Sequence, residues 1–222
     1  MTAGKAGERR LHVRHLGRMG YAEATALQEE LVRRRRLGEI PDTLLLLEHP
    51  HVITLGSGAR EDHVLLGPEE LRARGVELVE TGRGGDVTYH GPGQLVGYAI
   101  LDLKPDRKDL HRYLRDLEEV LVEALGALGV AAGVEEGLTG VWTTGGKVAA
   151  IGVRVSSGWI TSHGFALNVT TDLDHFGAIV PCGIPDRPVT SLARELGSPP
   201  DPEEVRGRVV GAFARRFEAE LV

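Results

Sequence analysis

Cys182, Lys147, His90 and His163 are the side chains of this sequence best suited to nucleophilic or proton-transfer chemistry. Cys182 is the single cysteine of the chain, in Val180-Pro181-Cys182-Gly183-Ile184-Pro185. It cannot form an internal disulfide, and a lone thiol is most often a small packing residue. The flanking proline and glycine put it on a turn instead, and even an unperturbed thiol is a few per cent thiolate at neutral pH. A reactive cysteine needs a neighbour that lowers its pKa, and His90, His163 and Lys147 are the candidates. Lys147 opens a strand directly after Gly145-Gly146, where a lysine is ordinarily solvent-exposed. It stands 35 residues before Cys182, so spacing alone does not bring the two together.

The second feature is Arg83-Gly84-Gly85-Asp86-Val87-Thr88-Tyr89-His90-Gly91-Pro92-Gly93-Gln94-Leu95. Five of its thirteen residues are glycine or proline, so no helix runs through it. It nevertheless carries Arg, Asp, Thr, Tyr and His, and a connector that is both conformationally special and chemically equipped is a candidate site. The stretch lacks the lysine-plus-hydroxyl ending of a phosphate-binding loop. His49-Pro50-His51 has two possible zinc ligands but no evident third, so no metal site is expected.

These features need a scaffold. The 222 residues are 41% hydrophobic and 26% charged, an ordinary soluble composition. One α/β domain spanning residues 1–222 is expected, because no repeat, low-complexity tract or long linker divides the chain. The longest apolar runs, such as Leu44-Leu45-Leu46-Leu47, are strand-sized and too short to span a bilayer. Met1-Thr2-Ala3-Gly4-Lys5 has no apolar core of a secretion signal, which makes the cytoplasm the default location. A net charge of −6 argues against nucleic acid as a partner. Arg33-Arg34-Arg35-Arg36 is a basic exception at a helix end, where cations suit the dipole.

Periodicity predicts a strand over 11–16, a helix over 21–36 stopped by Gly38, and a fully apolar strand over 43–47. Strands follow over 51–55 and 76–81, separated by a short helix begun by Pro68. The strand 94–101 leaves the glycine-rich loop. The clearest helix covers 110–128, with one apolar face ended by Gly129. Residues 140–144, 147–155 and 160–169 read as a hairpin series. A last helix runs from Pro202 to about Leu221, capped by Asp201, with Glu204 placed for a capping box. Hairpins together with helical crossovers predict a mixed sheet.

Residues 83–98, from Arg83-Gly84-Gly85-Asp86 through Tyr89-His90-Gly91-Pro92-Gly93-Gln94 to Tyr98, closely resemble the signature of the lipoyl(octanoyl) transferases. The likeness begins more loosely at Leu47-Glu48-His49-Pro50 and continues through Gly140-Val141-Trp142 and Lys147-Val148-Ala149-Ala150-Ile151-Gly152-Val153-Arg154. It extends through Ser162-His163-Gly164-Phe165-Ala166-Leu167-Asn168-Val169 and Ile179-Val180-Pro181-Cys182-Gly183-Ile184 to Val189-Thr190-Ser191-Leu192. The resemblance implies an α/β fold of the α+β type, with a mixed sheet and flanking helices like the biotin and lipoate protein ligases. It implies that Cys182 is an acyl-thioester nucleophile with Lys147 beside it. It further implies that the substrate site is lined by Arg83, Gly84, Gly85, Asp86, Val87, Thr88, Tyr89 and His90, by Ala150, Ile151 and Gly152, and by Gly164, Phe165 and Ala166.

The implied reaction is transfer of an octanoyl group from octanoyl-acyl carrier protein to a lysine of a lipoyl domain, the first step of endogenous protein lipoylation. The implied acceptors are the lipoyl domains of 2-oxoacid dehydrogenase complexes and the glycine cleavage H protein. No cofactor, metal, nucleic acid or membrane is expected to take part, and a monomer is expected. Turning a thioester into an amide is downhill, so ATP is not needed. The Ala149-Ala150 segment is expected to leave room for the acyl tail, and His90 to shape the pocket by hydrogen bonding. Arg33–Arg36, Arg60 and Arg83 are the candidates for a basic face toward acidic protein partners. The alternatives are an ATP-dependent lipoate or biotin ligase on the same fold, a cysteine hydrolase using Cys182 with His90 or His163, and a non-catalytic module that binds lipoyl domains.

Overall fold

In the computed structural model, residues 9–181 and 187–222 are described. The first strand, β1 (Arg9–Arg18), leads through α1 (Tyr21–Arg36) to β2 (Asp42–Glu48). A small sheet then forms from β3 (Val52–Leu55), β4 (Glu77–Glu80) and β5 (Val87–His90), with α2 (Pro68–Ala73) between the first two. The chain returns to the large sheet with β6 (Gln94–Ile100), crosses it as α3 (Leu110–Ala127), and makes the run β7 (Gly133–Glu135), β8 (Leu138–Thr143), β9 (Gly146–Val155) and β10 (Thr161–Asn168). It closes with α4 (Leu192–Leu196), α5 (Pro202–Arg216) and β11 (Ala219–Leu221). The large sheet has eight strands in the order β11-β1-β2-β6-β10-β9-β8-β7, and the small one has three in the order β4-β3-β5.

The mixed sheet follows from the connections. Helix α1 crosses between β1 and β2 and makes them parallel, whereas β6, β10, β9, β8 and β7 pair antiparallel. The Leu44–Leu47 run is buried on both sides, as its unbroken apolar character requires. Leu44 and Leu46 join a core with α3 and α5, while Leu45 and Leu47 join a second core under α1. The apolar face of α3 carries Tyr113, Leu117, Val120, Leu121, Ala124 and Leu125 into the first of these. Asp109 caps that helix by accepting from the Arg112 N–H.

Three sequence expectations need correction. The glycine-rich stretch is not loop throughout, because Val87–His90 forms β5, fully buried against β3. The last helix stops at Arg216 instead of reaching Leu221. Glu218 takes a left-handed conformation (φ 50°), which turns the chain so that β11 pairs parallel with β1. Asp201 does cap α5, through the Glu203 N–H, but Glu204 pairs with Arg208 one turn on and makes no capping box.

Candidate functional site

A slot of about 250 Å³ lies where the glycine-rich segment crosses the middle of β9 and β10. Its lining includes Arg83, Gly85, Asp86, Thr88 and His90 from that segment, Lys147, Ala150, Ile151 and Gly152 from β9, and Gly164, Phe165 and Ala166 from β10. Eleven of the fourteen substrate-site residues named from the sequence are therefore together, and Lys147 is with them. Gly84, Val87 and Tyr89 are not in the lining. The Gly84 N–H donates to Val153 O at 2.8 Å, which staples the segment to β9. Val87 and Tyr89 point into the core of the small sheet, as alternation along β5 demands. Ala150 faces the slot, whereas Ala149 is fully buried in the main core.

The segment is held by its own polar residues. Arg83 is buried, and its guanidinium donates to the hydroxyl and carbonyl oxygens of Thr54 on β3 at 2.6–3.1 Å. Asp86 accepts from the Arg60 and Val87 N–H groups and pairs with the His63 ring at 2.5 Å. Arg83 is thus enclosed and offers no outer face, whereas Arg60 is exposed and pairs with Asp62. Within the arginine run, Arg34 pairs with Glu30 and Glu39, Arg35 pairs with Asp42, and Arg33 and Arg36 line an outer cleft beside α1.

Lys147 is 6% exposed, the reverse of what its place beside a hairpin suggests. Its N–H donates to Pro188 O and its carbonyl accepts from the Thr190 N–H, at 2.9 and 3.0 Å. The 188–190 segment therefore runs beside the lysine as a short parallel pairing. The ammonium lies 5.2 Å from the Trp142 ring centroid. A methyl group at Gly140 (φ 125°) would come within 2.6 Å of Lys147 Cε, so only glycine leaves room for this side chain. Cys182 lies outside the described residues, which reach Pro181 before it and resume at Arg187. Val180 N–H donates to His63 O at 2.8 Å, and Pro181 lines the same small cavity as Lys147, Gln94 and Asn168.

A buried relay runs from this end to His90. Asn168 Nδ2 donates to Thr190 O at 3.0 Å, and Gln94 Nε2 donates to Asn168 Oδ1 at 2.9 Å and to Tyr89 O at 3.2 Å. With Gln94 Nε2 committed to two oxygens, its Oε1 must accept, and it takes the proton of His90 Nδ1 at 2.7 Å. Nε2 is then the unprotonated nitrogen of His90. Burial, with His49 and Arg83 adding to it, lowers the pKa of His90 to about 3. Burial and the nearby Arg83 and Arg154 lower that of His163 to about 4. Both rings are neutral at pH 7. His49, between the two motifs, donates from Nδ1 to Met19 O and accepts the Tyr98 hydroxyl at Nε2, so its nitrogens serve packing.

Sequence reasoning missed Tyr21 and Tyr98, which wall the slot, and the relay residues Gln94 and Asn168. Gln94, Tyr98 and Asn168 fall inside the motif blocks, but Tyr21 opens an ordinary amphipathic helix and has no local signal. Gly97 shows how tightly the far side fits, since a β-carbon there would enter the Phe165 ring. Among the described residues no cluster of three or more His, Cys, Asp or Glu could hold a metal ion, and no helix is long and apolar enough to cross a membrane.

Known proteins carry the same arrangement of chain. The profile of the lipoyl protein ligase A/B catalytic domain matches residues 20–214. An octanoyltransferase of Rubrobacter xylanophilus is 57% identical over 205 residues, covering 91% of this chain and 92% of its own. One of Chloroflexus aggregans is 50% identical over 216 residues, covering 96% and 98%. Among solved structures, a lipoate protein ligase of Thermoplasma acidophilum superposes with a TM-score of 0.72 at 18% identity, covering 97% of this chain and 86% of that one. A biotin protein ligase of Aquifex aeolicus superposes less closely, with a TM-score of 0.56 at 17% identity over 95% and 71% of the two chains. The last two likenesses establish the fold. The identities to the first two, with the match to the family over most of the chain, place this protein among the octanoyltransferases, acyltransferases of the lipoyl protein ligase A/B catalytic domain family.

Proposed function

We propose that this chain moves an octanoyl group from the phosphopantetheine thioester of acyl carrier protein to a lysine of a lipoyl domain, through an acyl-thioester on Cys182. The observation that carries this reading is the pairing of a buried lysine with the flanks of the only cysteine. Pro181 shares a cavity with Lys147, and Pro188 and Thr190 hydrogen-bond its main chain. His90 and His163, the other candidate partners, are neutral at pH 7. Neither offers an imidazolium, which leaves Lys147 to carry the counter-charge of the thiolate.

The thiolate attacks the thioester carbonyl, and the pantetheine thiol leaves with a proton from Lys147. The carrier departs and the acceptor lysine enters as the neutral amine. Lys147, now neutral, takes a proton from that amine as it attacks the acyl-enzyme. The carbon–sulfur bond to Cys182 breaks, an amide forms, and the thiolate–ammonium pair is restored. The slot supports a hydrophobic tail, because each buried methylene contributes about 0.8 kcal/mol and an octanoyl chain gains roughly 5 kcal/mol over an acetyl group. A Thermoplasma acidophilum protein of this fold, at 17% identity, was solved with lipoic acid bound, whose tail is a comparable ligand. The acceptors in this reading are lipoyl domains of 2-oxoacid dehydrogenase complexes and of the glycine cleavage H protein.

Intact mass measurement after mixing with octanoyl-acyl carrier protein tests the covalent step. One added octanoyl group, absent in Cys182→Ser, is the expected result. A requirement for ATP, or steady release of octanoate with no amide product, would replace this reading with the ligase or the hydrolase.

A further inference from the structure

The slot shares a wall with a second cavity. An outer cleft of about 700 Å³ beside α1 includes Tyr21 and His163 in its lining, and so does the slot. Lys147 lines the slot and not the outer cleft. His163 pairs with Val153, six residues along β9 from Lys147, which is roughly 20 Å of strand. The shared wall therefore stands at the end of the slot away from the lysine.

We propose that Tyr21 and His163 form the end stop that sets the longest acyl chain the slot accepts. The inference rests on the reading that the slot holds an acyl tail with its carbonyl near Lys147. The wall is built to stay in place. Tyr21 opens α1, is 3% exposed, and hydrogen-bonds Thr81 Oγ1 through its hydroxyl at 3.0 Å. Its ring stacks over His90 with centroids 6.3 Å apart. His163 takes a left-handed conformation within a strand (φ 58°). Such a backbone persists only where its surroundings enforce it. Its N–H donates to Gln28 Oε1 at 2.7 Å, and its ring meets Tyr98 edge-on. Beyond the wall, Ala22, Thr25 and Val32 of α1 and Val79 of β4 offer small or apolar side chains to a chain that broke through.

The test is calorimetric binding of hexanoate, octanoate and dodecanoate to the full chain. Wild type is expected to favour octanoate. Tyr21→Ala should raise the affinity ratio of dodecanoate to octanoate at least tenfold, and His163→Ala should move it the same way. Tyr21→Trp should shift the preference toward hexanoate. Adding Thr25→Trp, which refills the cleft one helical turn along, should reverse the gain of Tyr21→Ala. If Tyr21→Ala does not fold by circular dichroism, Tyr21→Leu must show the same direction of change. An unchanged ratio in the folded variants, or equal loss for every chain length, overturns the end stop while leaving the proposed function intact. Wild type that binds none of these acids overturns both.

Discussion

At the Lys147 end the slot is bounded by main chain in hydrogen-bonded register, with Pro181 lining the same small cavity as the lysine. At the other end it is bounded by the rings of Tyr21, His90, Tyr98 and His163. In the proposed function the first end holds and moves a proton. The second contains several groups that could titrate but do not at neutral pH, because burial disfavours the charged form of each imidazole and raises the pKa of both tyrosines. The lesson is that residue type is a poor guide to role. Histidine, the usual acid–base residue, stands here as neutral wall, and the proposed function gives the reactive role to lysine.

The largest effect that can test this division is expected from Lys147→Ala. Acyl-enzyme formation, followed by rapid-quench mass spectrometry, should slow by about 10²–10⁴-fold, the usual worth of a placed proton donor. Equal rates would break the comparison. Gly140→Ala should come next. It leaves the lysine in the sequence but pushes its side chain aside, and misplacement by about an ångström can cost 10²-fold. Octanoate affinity in this variant should change far less than the rate.

At the relay that joins the ends, Asn168→Leu or Gln94→Leu strands buried partners and should destabilise the fold by about 1–3 kcal/mol in urea titration. The last test concerns pH. His90 and His163 bind a proton in the unfolded chain near pH 6.5, but in the fold only near pH 3 and 4. Between those limits the unfolded state holds more protons, so stability falls as pH drops below about 6.5. His90→Asn should flatten that slope between pH 6.5 and 4, measured as the shift of the urea midpoint. An unaltered slope would show that His90 is already charged in the fold.

Much of this scaffold was legible because the cues are local. The 21–36 helix, the doubly buried strand at 43–47 and the hairpin from 140 to 169 all carry their periods in the sequence. The chemical segments were legible for a different reason, their resemblance to the lipoyl(octanoyl) transferase signature. What stayed hidden depends on contacts between distant residues. The burial of Lys147 comes from the 188–190 segment pairing with it. The reversal after Arg216 comes from β1 offering an edge 200 residues earlier. Tyr21 enters the slot because it opens α1, which packs over β6 and β10, and no spacing rule announces it.

β11 is only Ala219–Leu221, yet it is what lies along the outer side of the ten-residue β1. Ending the chain after Glu218 would unpair the Arg9–Leu11 stretch of β1, leaving its amides and carbonyls open as a sheet edge. Such a shortened protein is expected to keep its catalytic centre but to stick to copies of itself, so affinity tags and fusions joined at that end need a spacer that leaves those three residues free to dock.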